Sequence, residues 1–468
     1  MNKDLLDKNS SKPRTIVVCP GITFPDWIYA EITGLRYFEE RLLYFLFHCK
    51  YPGQRLIYLL SEALDPEELH YWITTAAAAM NMSSQVLKER LTIITVNDTS
   101  DKGLAQKILA SPKVIELIKN EITETSNTYL EVFAVSQHEI QLAKDLGIPY
   151  WGNTPTALKY DQKGPARELA KSVGVKVAPG KENINNLTGA YAAWKELGAK
   201  PGKYMLKINT GDGGVGLWKI DMSQNKVLDF TNFRKTIPET KLTDRLEELL
   251  SNEGGILEQY IEAPIKISPS IQYLAWSATD FTYIGAHEQD LADDKYVGSY
   301  FPAESDQASS MREAGDLIMH ELIKNGVRGR VSMDFLLTKN SPEEKWTTYL
   351  IELNIRKGGT THTEQWAEYL TGARLTEGLL TRQDNKPVYY YSSEKGSLRD
   401  EFSQLSTSNF LAQVNKAGLA YSQLTQSGIF FHLLSQRAPF HKVGYTAIGR
   451  TRSETIELKK KFEEKFGK

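Results

Sequence analysis

Short apolar runs alternate with amphipathic stretches through the first 155 residues. Four of these runs have the aliphatic and β-branched content of buried strands, and they cover residues 15–19, 55–60, 91–96 and 130–135. The segments between them, such as 28–47 and 103–121, have the periodicity of amphipathic helices. Ser136 and Glu139 have the spacing of a capping box, which predicts a helix start. Alternation of this kind predicts an open, largely parallel α/β sheet.

The middle of the chain has strand-like runs with few helices between them. The runs cover residues 204–208, 216–220, 255–261, 270–275 and 282–286. Such a succession predicts antiparallel hairpins in a mixed α+β arrangement, which we expect to extend to about residue 375. Two further strand candidates lie at 428–434 and 442–448, and Thr451 with Glu454 predicts the cap of a last helix.

Composition narrows the class of protein. The chain has 468 residues, of which 41% are hydrophobic and 24% charged, as in a globular protein of about three domains. Its 56 basic and 58 acidic residues nearly cancel, which removes the electrostatic argument for a nucleic-acid or membrane-surface protein. Cys19 and Cys49 are too few for a disulfide framework or a zinc cage. Residues 1–13 lack an apolar signal core, so we expect a flexible tail on a cytoplasmic protein.

A glycine-rich loop follows the run at 204–208. Residues 211–216 match the pattern G-x-G-x-x-G, but a strand-like run follows them, whereas a dinucleotide-binding fold requires a helix there. Leu217 stands where a Walker loop needs lysine, and the chain has no His-Arg-Asp string of a protein kinase. Two interpretations stay open. The loop is either a flap whose backbone amides cover a triphosphate, with Lys207 on a phosphate oxygen, or a glycine-rich hairpin with an exposed lysine.

A row of polar side chains lies within residues 351–356. Alternate side chains of a strand share a face, so Glu352, Asn354 and Arg356 are expected to point the same way. Carboxylate and amide oxygens suit Mg²⁺, and a guanidinium suits the charge that develops during phosphoryl or acyl transfer. Asp334 is a further candidate ligand from another strand-like run. The alternative is the solvent face of a half-buried sheet with a structural salt bridge, but the glycine loop upstream favours a shared ATP site.

Together these residues resemble the ATP-grasp superfamily of carboxylate–amine ligases over roughly residues 158–375. The resemblance depends on the order of the motifs, which are Lys163, a Gly-Val-x-Val-x-Pro turn at 174–179, the glycine loop, Leu-Glu-Gln-Tyr-Ile at 257–261 and the Glu-x-Asn-x-Arg row. It implies an ATP-grasp fold, α/β and α+β in class, preceded by an open α/β pre-ATP-grasp domain. It also implies ATP and Mg²⁺ as cofactors, with Mn²⁺ as an alternative metal.

The resemblance implies roles for individual residues. The implied catalytic residues are Arg356 and Lys207, and the implied metal ligands are Asp334, Glu352 and Asn354. The implied ATP-binding residues are Lys163, Lys207, Gly211, Gly213, Gly214, Gly216, Glu258, Tyr260 and Glu262. In this set Glu258 and the backbone after it read the adenine, while Glu262 takes the ribose hydroxyls. The candidate substrate residues are His287, Glu288, Gln289 and His362.

The whole chain is more specifically similar to the pheganomycin-type peptide ligase family. The segments that carry this similarity are 283–289, 298–302 and 442–449. The domains implied are a flexible tail at 1–13, a pre-ATP-grasp domain at 14–155, ATP-grasp domains at 156–375 and a small C-terminal domain at 376–468. Many relatives have a helper arginine where this chain has Ser332, and here Arg328 and Arg330 lie further back. The resemblance therefore leaves Arg356 as the catalytic arginine.

The expected activity is ATP-dependent formation of an amide or peptide bond through an acyl phosphate, with release of ADP and phosphate. The expected substrates are a small carboxylate, which is an amino acid or a peptide, and an amine. Nucleic-acid and membrane partners are not expected, and a homo-oligomer is left open. Two alternatives remain, a non-catalytic nucleotide-binding scaffold and a carboxylase subunit that uses bicarbonate. The intact set of lysines, carboxylates and Arg356 argues against the scaffold.

Overall fold

The computed structural model describes residues 6, 10–223, 229–292 and 295–468, so most of the predicted tail at 1–13 lies outside the described residues. The first part of the described chain is a parallel sheet flanked by helices. Its strands are β1 (Arg14–Cys19), β2 (Gln54–Leu60), β3 (Leu91–Thr95), β4 (Thr128–Val132) and β5 (Tyr150–Trp151). Its helices are α1 (Asp26–Tyr29), α2 (Pro66–Ala79), α3 (Ser84–Glu89), α4 (Leu104–Leu109), α5 (Pro112–Glu121) and α6 (Gln137–Leu146), with 3-10 helices at Leu35–Cys49, Thr125–Asn127 and Pro155–Asp161.

This sheet confirms the predicted parallel arrangement. Its strand order is β3-β2-β1-β4-β5, and each pair of neighbours runs in parallel. The capping box is confirmed as well, because Ser136 Oγ accepts from the amide of His138 (3.0 Å) and Glu139 Oε2 accepts from the amide of Ser136 (2.8 Å). The first β-strand is buried at every position, so hydrophobic residues pack against both faces of the sheet.

The two long helices predicted in this part are each interrupted in the structure. The segment 28–47 contains the end of α1 and then a 3-10 helix, and Gly34 between them has φ +79°, a left-handed conformation that interrupts a helix. The segment 103–121 is divided into α4 and α5, because Pro112 begins α5 and cannot continue α4. The sheet ends at the short strand β5, in which Trp151 pairs with Glu131 of β4.

An antiparallel sheet follows and carries the glycine loop. Its strands are β6 (Gly180–Ile184), β7 (Lys203–Ile208), β8 (Leu217–Asp221) and β9 (Gly255–Gln259), in the order β6-β9-β7-β8. Its helices are α7 (Lys163–Ser172), α8 (Leu187–Glu196), α9 (Phe230–Lys235) and α10 (Leu246–Glu253), with a 3-10 helix at Thr243–Arg245. On β7, Tyr204, Leu206 and Ile208 pack into one hydrophobic core, so Lys207 between them lies on the opposite face.

The rest of the described chain forms one large antiparallel sheet. Its strands are β10 (Ile265–Ile267), β11 (Pro269–Ala275), β12 (Phe281–Ala292), β13 (Lys295–Phe301), β14 (Gly329–Lys339), β15 (Thr347–Asn354), β18 (Tyr389–Ser397), β19 (Gly428–Leu433) and β20 (Lys442–Gly449). A separate small hairpin is formed by β16 (Arg374–Thr376) and β17 (Leu379–Thr381). The order is β10-β14-β11-β12-β13-β18-β20-β19, with β15 on the free side of β14. The predicted antiparallel hairpins are therefore confirmed.

The helices of this part cover the sheet. They are α11 (Ser305–Lys324), α12 (Thr361–Thr371), α13 (Asp400–Ser403), α14 (Thr407–Lys416), α15 (Arg437–Phe440) and α16 (Arg452–Phe466). Val331, Met333 and Phe335 of β14 pack with α11 in one hydrophobic core. Because side chains alternate along a strand, Ser332 and Asp334 point to the opposite face, which is the face of the candidate site.

The domain boundaries stay predictions. The strands β18, β19 and β20 lie beyond residue 375 and continue the same sheet, since β13 pairs with β18. Thr451 Oγ1 accepts from the amide of Glu454 at 3.1 Å, which confirms the predicted cap of the last helix. No helix among the described residues is long and apolar enough to cross a membrane.

Candidate active site

Two carboxylates face each other across the β14–β15 pair. Asp334 lies opposite Glu352, and Asn354 lies opposite Ser332 one step along the same face. The amide Nδ2 of Asn354 is 3.5 Å from Asp334 Oδ2. The carboxylate row predicted from the sequence is thus assembled by two neighbouring strands. The chain offers two carboxylates and one amide oxygen here, which are ligands that hard divalent cations prefer.

The electrostatics of the two carboxylates differ. Burial, together with the charge of Glu352, raises the pKa of Asp334 to about 7. Burial also acts to raise the pKa of Glu352, but Lys163, Lys207 and Arg356 outweigh it and leave this pKa below its usual value. Within the described ranges, no group of three or more His, Cys, Asp or Glu side chains could enclose a metal ion. A cation here would therefore need the amide oxygen and ligands from a substrate or water.

Lys163 connects the carboxylate row to the glycine loop. It begins α7, and its Nζ lies 2.8 Å from Glu352 Oε1 and 2.5 Å from the carbonyl oxygen of Gly211. The start of this helix is fixed by Asn209, whose carbonyl accepts from the amide of Lys163 (3.2 Å) and whose Oδ1 accepts from the amide of Gly164 (3.0 Å). Lys163 is thereby held where the loop meets the carboxylates.

The glycine loop joins two antiparallel strands, β7 and β8, as the flap interpretation requires. Gly213, Gly214 and Gly216 have φ values of +59°, +86° and +78°, which side chains other than glycine rarely adopt. Gly211 is needed for a different reason, because a Cβ atom there would lie 2.5 Å from the carbonyl oxygen of Val215. We refer to this loop, residues 209–216, as the flap.

Arg356 lies just beyond the end of β15, at the tip of the flap. Its guanidinium contacts the carboxylate of Asp212 in the flap and donates to Asn354 Oδ1 at 2.9 Å. Its Nε is 3.9 Å from Asp161 Oδ2, while Asp161 Oδ1 accepts from the amide of Ile355 at 2.9 Å. Burial lowers the pKa of Arg356, but Asp212 and Asp161 raise it by more, so the guanidinium stays charged.

Lys207 and Glu258 form a buried ion cluster behind the flap. Lys207 Nζ is 2.5 Å from Glu258 Oε1, and Arg167 contacts the other carboxylate oxygen. Arg167 also donates to Glu182 Oε1 at 2.9 Å. Glu258 is only 3% exposed, and both of its oxygens are bound by protein cations. The role predicted for its side chain in adenine binding stays a prediction, as does the role of Lys207 at a phosphate.

The other two residues predicted for the nucleotide lie where β9 ends. The amide of Tyr260 donates to the carbonyl of Lys203 at 2.8 Å, and the ammonium of Lys219 lies 4.0 Å from the centre of its ring. Glu262 is exposed and forms an ion pair of 2.9 Å with Lys203. Both residues are at the surface of the sheet that carries the flap, and their contacts with a nucleotide stay predictions.

Of the four candidate substrate residues, Gln289 is beside the carboxylate row. Its Nε2 donates to Asp334 Oδ1 at 2.8 Å. Glu288, the residue before it, points to the other face of β12 and is bound by Arg452 of α16.

The two histidines are enclosed in the protein interior. His287 is 0% exposed, its Nε2 lies 2.8 Å from the hydroxyl of Tyr390, and burial followed by the charge of Arg330 lowers its pKa to about 3. His362 Nε2 lies 2.8 Å from His432 Nδ1, and burial lowers the pKa of His362 as well. Both imidazoles are therefore neutral near pH 7, and their assignment to a substrate stays a prediction.

Sequence reasoning gave no role to three charged residues of this region. Asp212 and Asp161 both face Arg356, and Arg167 holds Glu258. The position of Asp212 between two glycines of the loop is the signal in the sequence that could have indicated it. Asp161 lies two positions before Lys163, but nothing in its spacing indicates that it supports the backbone of Ile355.

Comparisons with known proteins are consistent with this geometry. The chain is 24% identical over 448 residues to L-propargylglycine–L-glutamate ligase of Streptantibioticus cattleyicolor, which covers 93% of this chain and 91% of that protein. The family model of the PGM1 C-terminal domain matches residues 410–461.

Solved structures show the same fold at low sequence identity. The ADP complex of N5-carboxyaminoimidazole ribonucleotide synthetase superposes with a TM-score of 0.55 at 14% identity, over 96% of each chain. An ATP-analogue complex of biotin carboxylase from Campylobacter jejuni superposes with a TM-score of 0.61 at 14% identity, over 98% of this chain and 92% of that one. The chain thus has the predicted ATP-grasp fold with its preceding α/β domain, and its resemblance to the carboxylate–amine ligases of that superfamily is confirmed.

Proposed function

We propose that this protein uses ATP to join a small carboxylate to an amine, through an acyl phosphate and with release of ADP and phosphate. The observation that supports this proposal best is one cluster in which Asp334 and Glu352 face each other beside a glycine flap that contacts both Lys163 and Arg356. Half-buried carboxylates that face each other repel one another unless positive charge compensates them. A divalent cation bound together with the triphosphate would supply such charge at the point where phosphoryl transfer needs it.

The flap and two lysines are assigned to the triphosphate. A Cβ atom at Gly214 would meet nothing within 4 Å, so the tip of the flap offers bare backbone that phosphate oxygens can approach. Lys163 and Lys207 each carry an ammonium group at the base of the flap. On ATP binding, Lys163 exchanges the Gly211 carbonyl for a phosphate oxygen.

Asp334, Glu352 and Asn354 would hold Mg²⁺. The residues fit such an ion, because burial and then the charge of Glu352 raise the pKa of Asp334, and a cation would favour its charged form. When bound, Mg²⁺ neutralises charge on phosphate oxygens and so favours phosphoryl transfer. Gln289 donates to Asp334 Oδ1 and orients that carboxylate.

Arg356 is assigned to the charge that develops during both half-reactions. A carboxylate oxygen of the acid forms a bond to the γ-phosphorus, and the bond from this phosphorus to the ADP oxygen breaks. The amine nitrogen then forms a bond to the acyl carbon, phosphate leaves, and the nitrogen loses a proton. A guanidinium next to the metal row stabilises the phosphoryl group in the first step and the oxyanion in the second. A closed flap excludes water, which would otherwise hydrolyse the acyl phosphate.

We assign the adenine to the backbone that follows Glu258, and the ribose hydroxyls to Glu262. The side chain of Glu258 has a positioning role in this proposal, because it fixes the ammonium of Lys207 on one side and Arg167 on the other. Tyr260 lies between the two nucleotide contacts. We also place the protein in the cytoplasm, because its cysteines are free thiols and ATP is abundant there.

Interception by hydroxylamine tests the reaction. The purified protein is incubated with ATP, Mg²⁺ and hydroxylamine, together with a panel of amino acids and short peptides, and hydroxamate, ADP and pyrophosphate are measured. We expect hydroxamate and ADP in equal amounts with at least one acid, and no pyrophosphate. An acid that gives pyrophosphate instead would show adenylation and would contradict the proposal.

The same assay separates the alternatives. A nucleotide-binding scaffold would give no hydroxamate with any acid. A carboxylase would release ADP with bicarbonate alone and would not require an organic acid. Glu352→Ala is the matched control, because it removes a carboxylate of the proposed metal site and should abolish hydroxamate formation while the protein still folds.

A further inference from the structure

A large cavity lies between the parallel sheet, the first 3-10 helix, α12 and the beginning of β14. Its volume is about 1090 Å³, slightly above the roughly 300–1,000 Å³ typical of small-molecule sites. One part of its wall is aromatic and includes Tyr44, Phe47, Tyr129 and Tyr369. The flap and the carboxylate row do not line it, so nothing described above accounts for it.

A guanidinium lies in the wall of this cavity. Arg330 is 9% exposed, and its Nη2 donates to Glu364 Oε2 at 2.6 Å. Its Nη1 is buried and has no hydrogen-bond partner among the described residues. Buried donors of this kind are rare in proteins, because an unmade hydrogen bond to a charged group is costly. An anionic ligand such as a carboxylate accepts two parallel hydrogen bonds from a guanidinium and removes that cost.

Carboxylates lie next to this guanidinium on α12. Glu364 and Glu368 are one helical turn apart, and both line the cavity. Burial lowers the pKa of Arg330, but the negative charges of these two carboxylates raise it. Gln365 donates to Glu364 Oε1 at 3.0 Å and to Glu368 Oε2 at 3.3 Å. The polar part of the wall therefore offers positive and negative charge a few ångströms apart, opposite an aromatic part.

We propose that this cavity binds an α-amino acid with an apolar or aromatic side chain. The carboxylate of the amino acid accepts from Arg330, its ammonium group lies against Glu364 and Glu368, and its side chain packs among the aromatic residues. A zwitterion fits the polar part of this wall better than a dicarboxylate, because Glu364 and Glu368 lie beside Arg330 and would repel a second negative charge.

One short segment of the chain connects the cavity to the candidate active site. Lys357 lines the cavity, and its Nζ contacts Glu131 and donates to the carbonyl of Val132 at 2.5 Å. The carbonyl of the same residue accepts from Arg356 Nη1 at 3.1 Å. Along β14, Arg330 lies four residues before Asp334, which corresponds to about 13 Å.

The bound amino acid has one of two sources, the amine substrate of the ligase or an effector that acts through Lys357. The binding site itself goes beyond the proposed function and does not depend on it. Only the assignment as amine substrate rests on the proposed function.

Binding is tested first without ATP, on the full chain. The twenty proteinogenic amino acids are screened by thermal shift, and L-phenylalanine and L-leucine are then compared with their amides by isothermal titration calorimetry. We expect an apolar amino acid to bind at least tenfold more tightly than its amide, because the amide lacks the charge that Arg330 recognises. No stabilisation by any amino acid would overturn the proposal, as would equal affinity for acid and amide.

Two variants locate the contact. Arg330→Gln should abolish the preference for the free carboxylate, whereas Arg328→Gln should keep it, because Arg328 does not line the cavity and donates to the carbonyls of Ile323 and Val327. Arg330→Lys keeps the charge beside Glu364 and should retain a reduced preference, which provides a readout if Arg330→Gln does not fold. An unchanged preference in both Arg330 variants would overturn the assignment. Equal binding of 3-phenylpropionate and phenylalanine would overturn the assignment of the ammonium group.

A final arm separates the two sources. With ATP, Mg²⁺ and an acid that gives hydroxamate, an amine substrate is consumed and appears in the product by mass spectrometry. An effector changes kcat and is recovered intact. If no acid gives hydroxamate, the proposed function fails, while the binding measurements still test whether the cavity binds an amino acid.

Discussion

Replacing Asp212 by asparagine should strengthen ATP binding. In the structure the flap is tied to Arg356 through the Asp212 carboxylate, so Arg356 is engaged by the protein before any nucleotide arrives. If Arg356 serves the phosphates, ATP must displace Asp212 from it. Asp212→Asn keeps the size of the side chain and removes the charge, so the displaced contact is weaker.

The expected change in the Kd for ATP follows from the exposure of the Asp212–Arg356 ion pair. The side chains of Asp212 and Arg356 are 26% and 13% exposed. A hydrogen bond between charged groups contributes roughly 1.5–3 kcal/mol, and an exposed ion pair about 0.2–1 kcal/mol. The contribution of this partly exposed pair should lie between these two ranges, at about 1 kcal/mol, which corresponds to a roughly fivefold change in Kd. Loss of a negative charge near the triphosphate acts in the same direction.

The assay is calorimetric titration of a non-hydrolysable ATP analogue with Mg²⁺ at fixed ionic strength. Asp221→Asn is the matched control, because Asp221 lies at the base of the same hairpin and accepts from the amide of Ser223 (2.9 Å), far along β8 from Arg356. We expect Kd to fall for Asp212→Asn only. An unchanged or higher Kd would refute the reasoning, and an equal fall in the control would show a general effect of charge.

Three further predictions concern the metal row, the flap and stability. Glu352→Gln should lower the rate of ADP release by about 100-fold or more, because a ligand of the proposed metal site is lost; near-wild-type turnover in a coupled assay would contradict this assignment. Gly211→Val should weaken ATP binding and speed hydrogen exchange in the flap, since its Cβ would lie 2.5 Å from the Val215 carbonyl oxygen. Gly174→Ala strains a left-handed position (φ +80°) outside the flap without a clash, so it controls for general destabilisation and should leave exchange in the flap unchanged. Burial raises the pKa of Glu39 to about 7. The folded state therefore binds the proton more tightly than the unfolded state, and this group lowers the free energy of unfolding by about 3 kcal/mol as pH rises from below 4.5 through 7. Urea denaturation of wild type and Glu39→Gln at pH 5 and pH 8 measures it, and equal pH dependence of the two proteins would contradict it.

The elements that depend on local pattern were the most predictable. The strand that carries Lys207 was expected at 204–208 and is observed at Lys203–Ile208, because an apolar residue at every second position determines its buried face. The prediction for Arg356 was only half right. The strand ends at Asn354, so Arg356 is not part of the alternating row, yet the contact with Asn354 Oδ1 keeps it next to that row.

Contacts between distant parts of the chain were beyond sequence reasoning. Lys357 and Glu131 are separated by 226 positions, and nothing in the local sequence of either residue indicates the other as its partner. The strand β18 was missed because its tyrosines are followed by serine, lysine and glycine, which weaken a strand pattern. That strand exists because β13 and β20 pair with it on both sides.

The shared sheet has a consequence for how the molecule unfolds. Strands before and after residue 375 are joined by one ladder through β13, β18 and β20, so separating them exposes two strand edges at once. The terminal helix α16 packs onto this ladder through Phe462 and Phe466. The carboxylate pair and the terminal helix are therefore expected to unfold as one cooperative unit. We expect damage to α16 to lower the stability of β14 and β15 without changing a side chain of the candidate site.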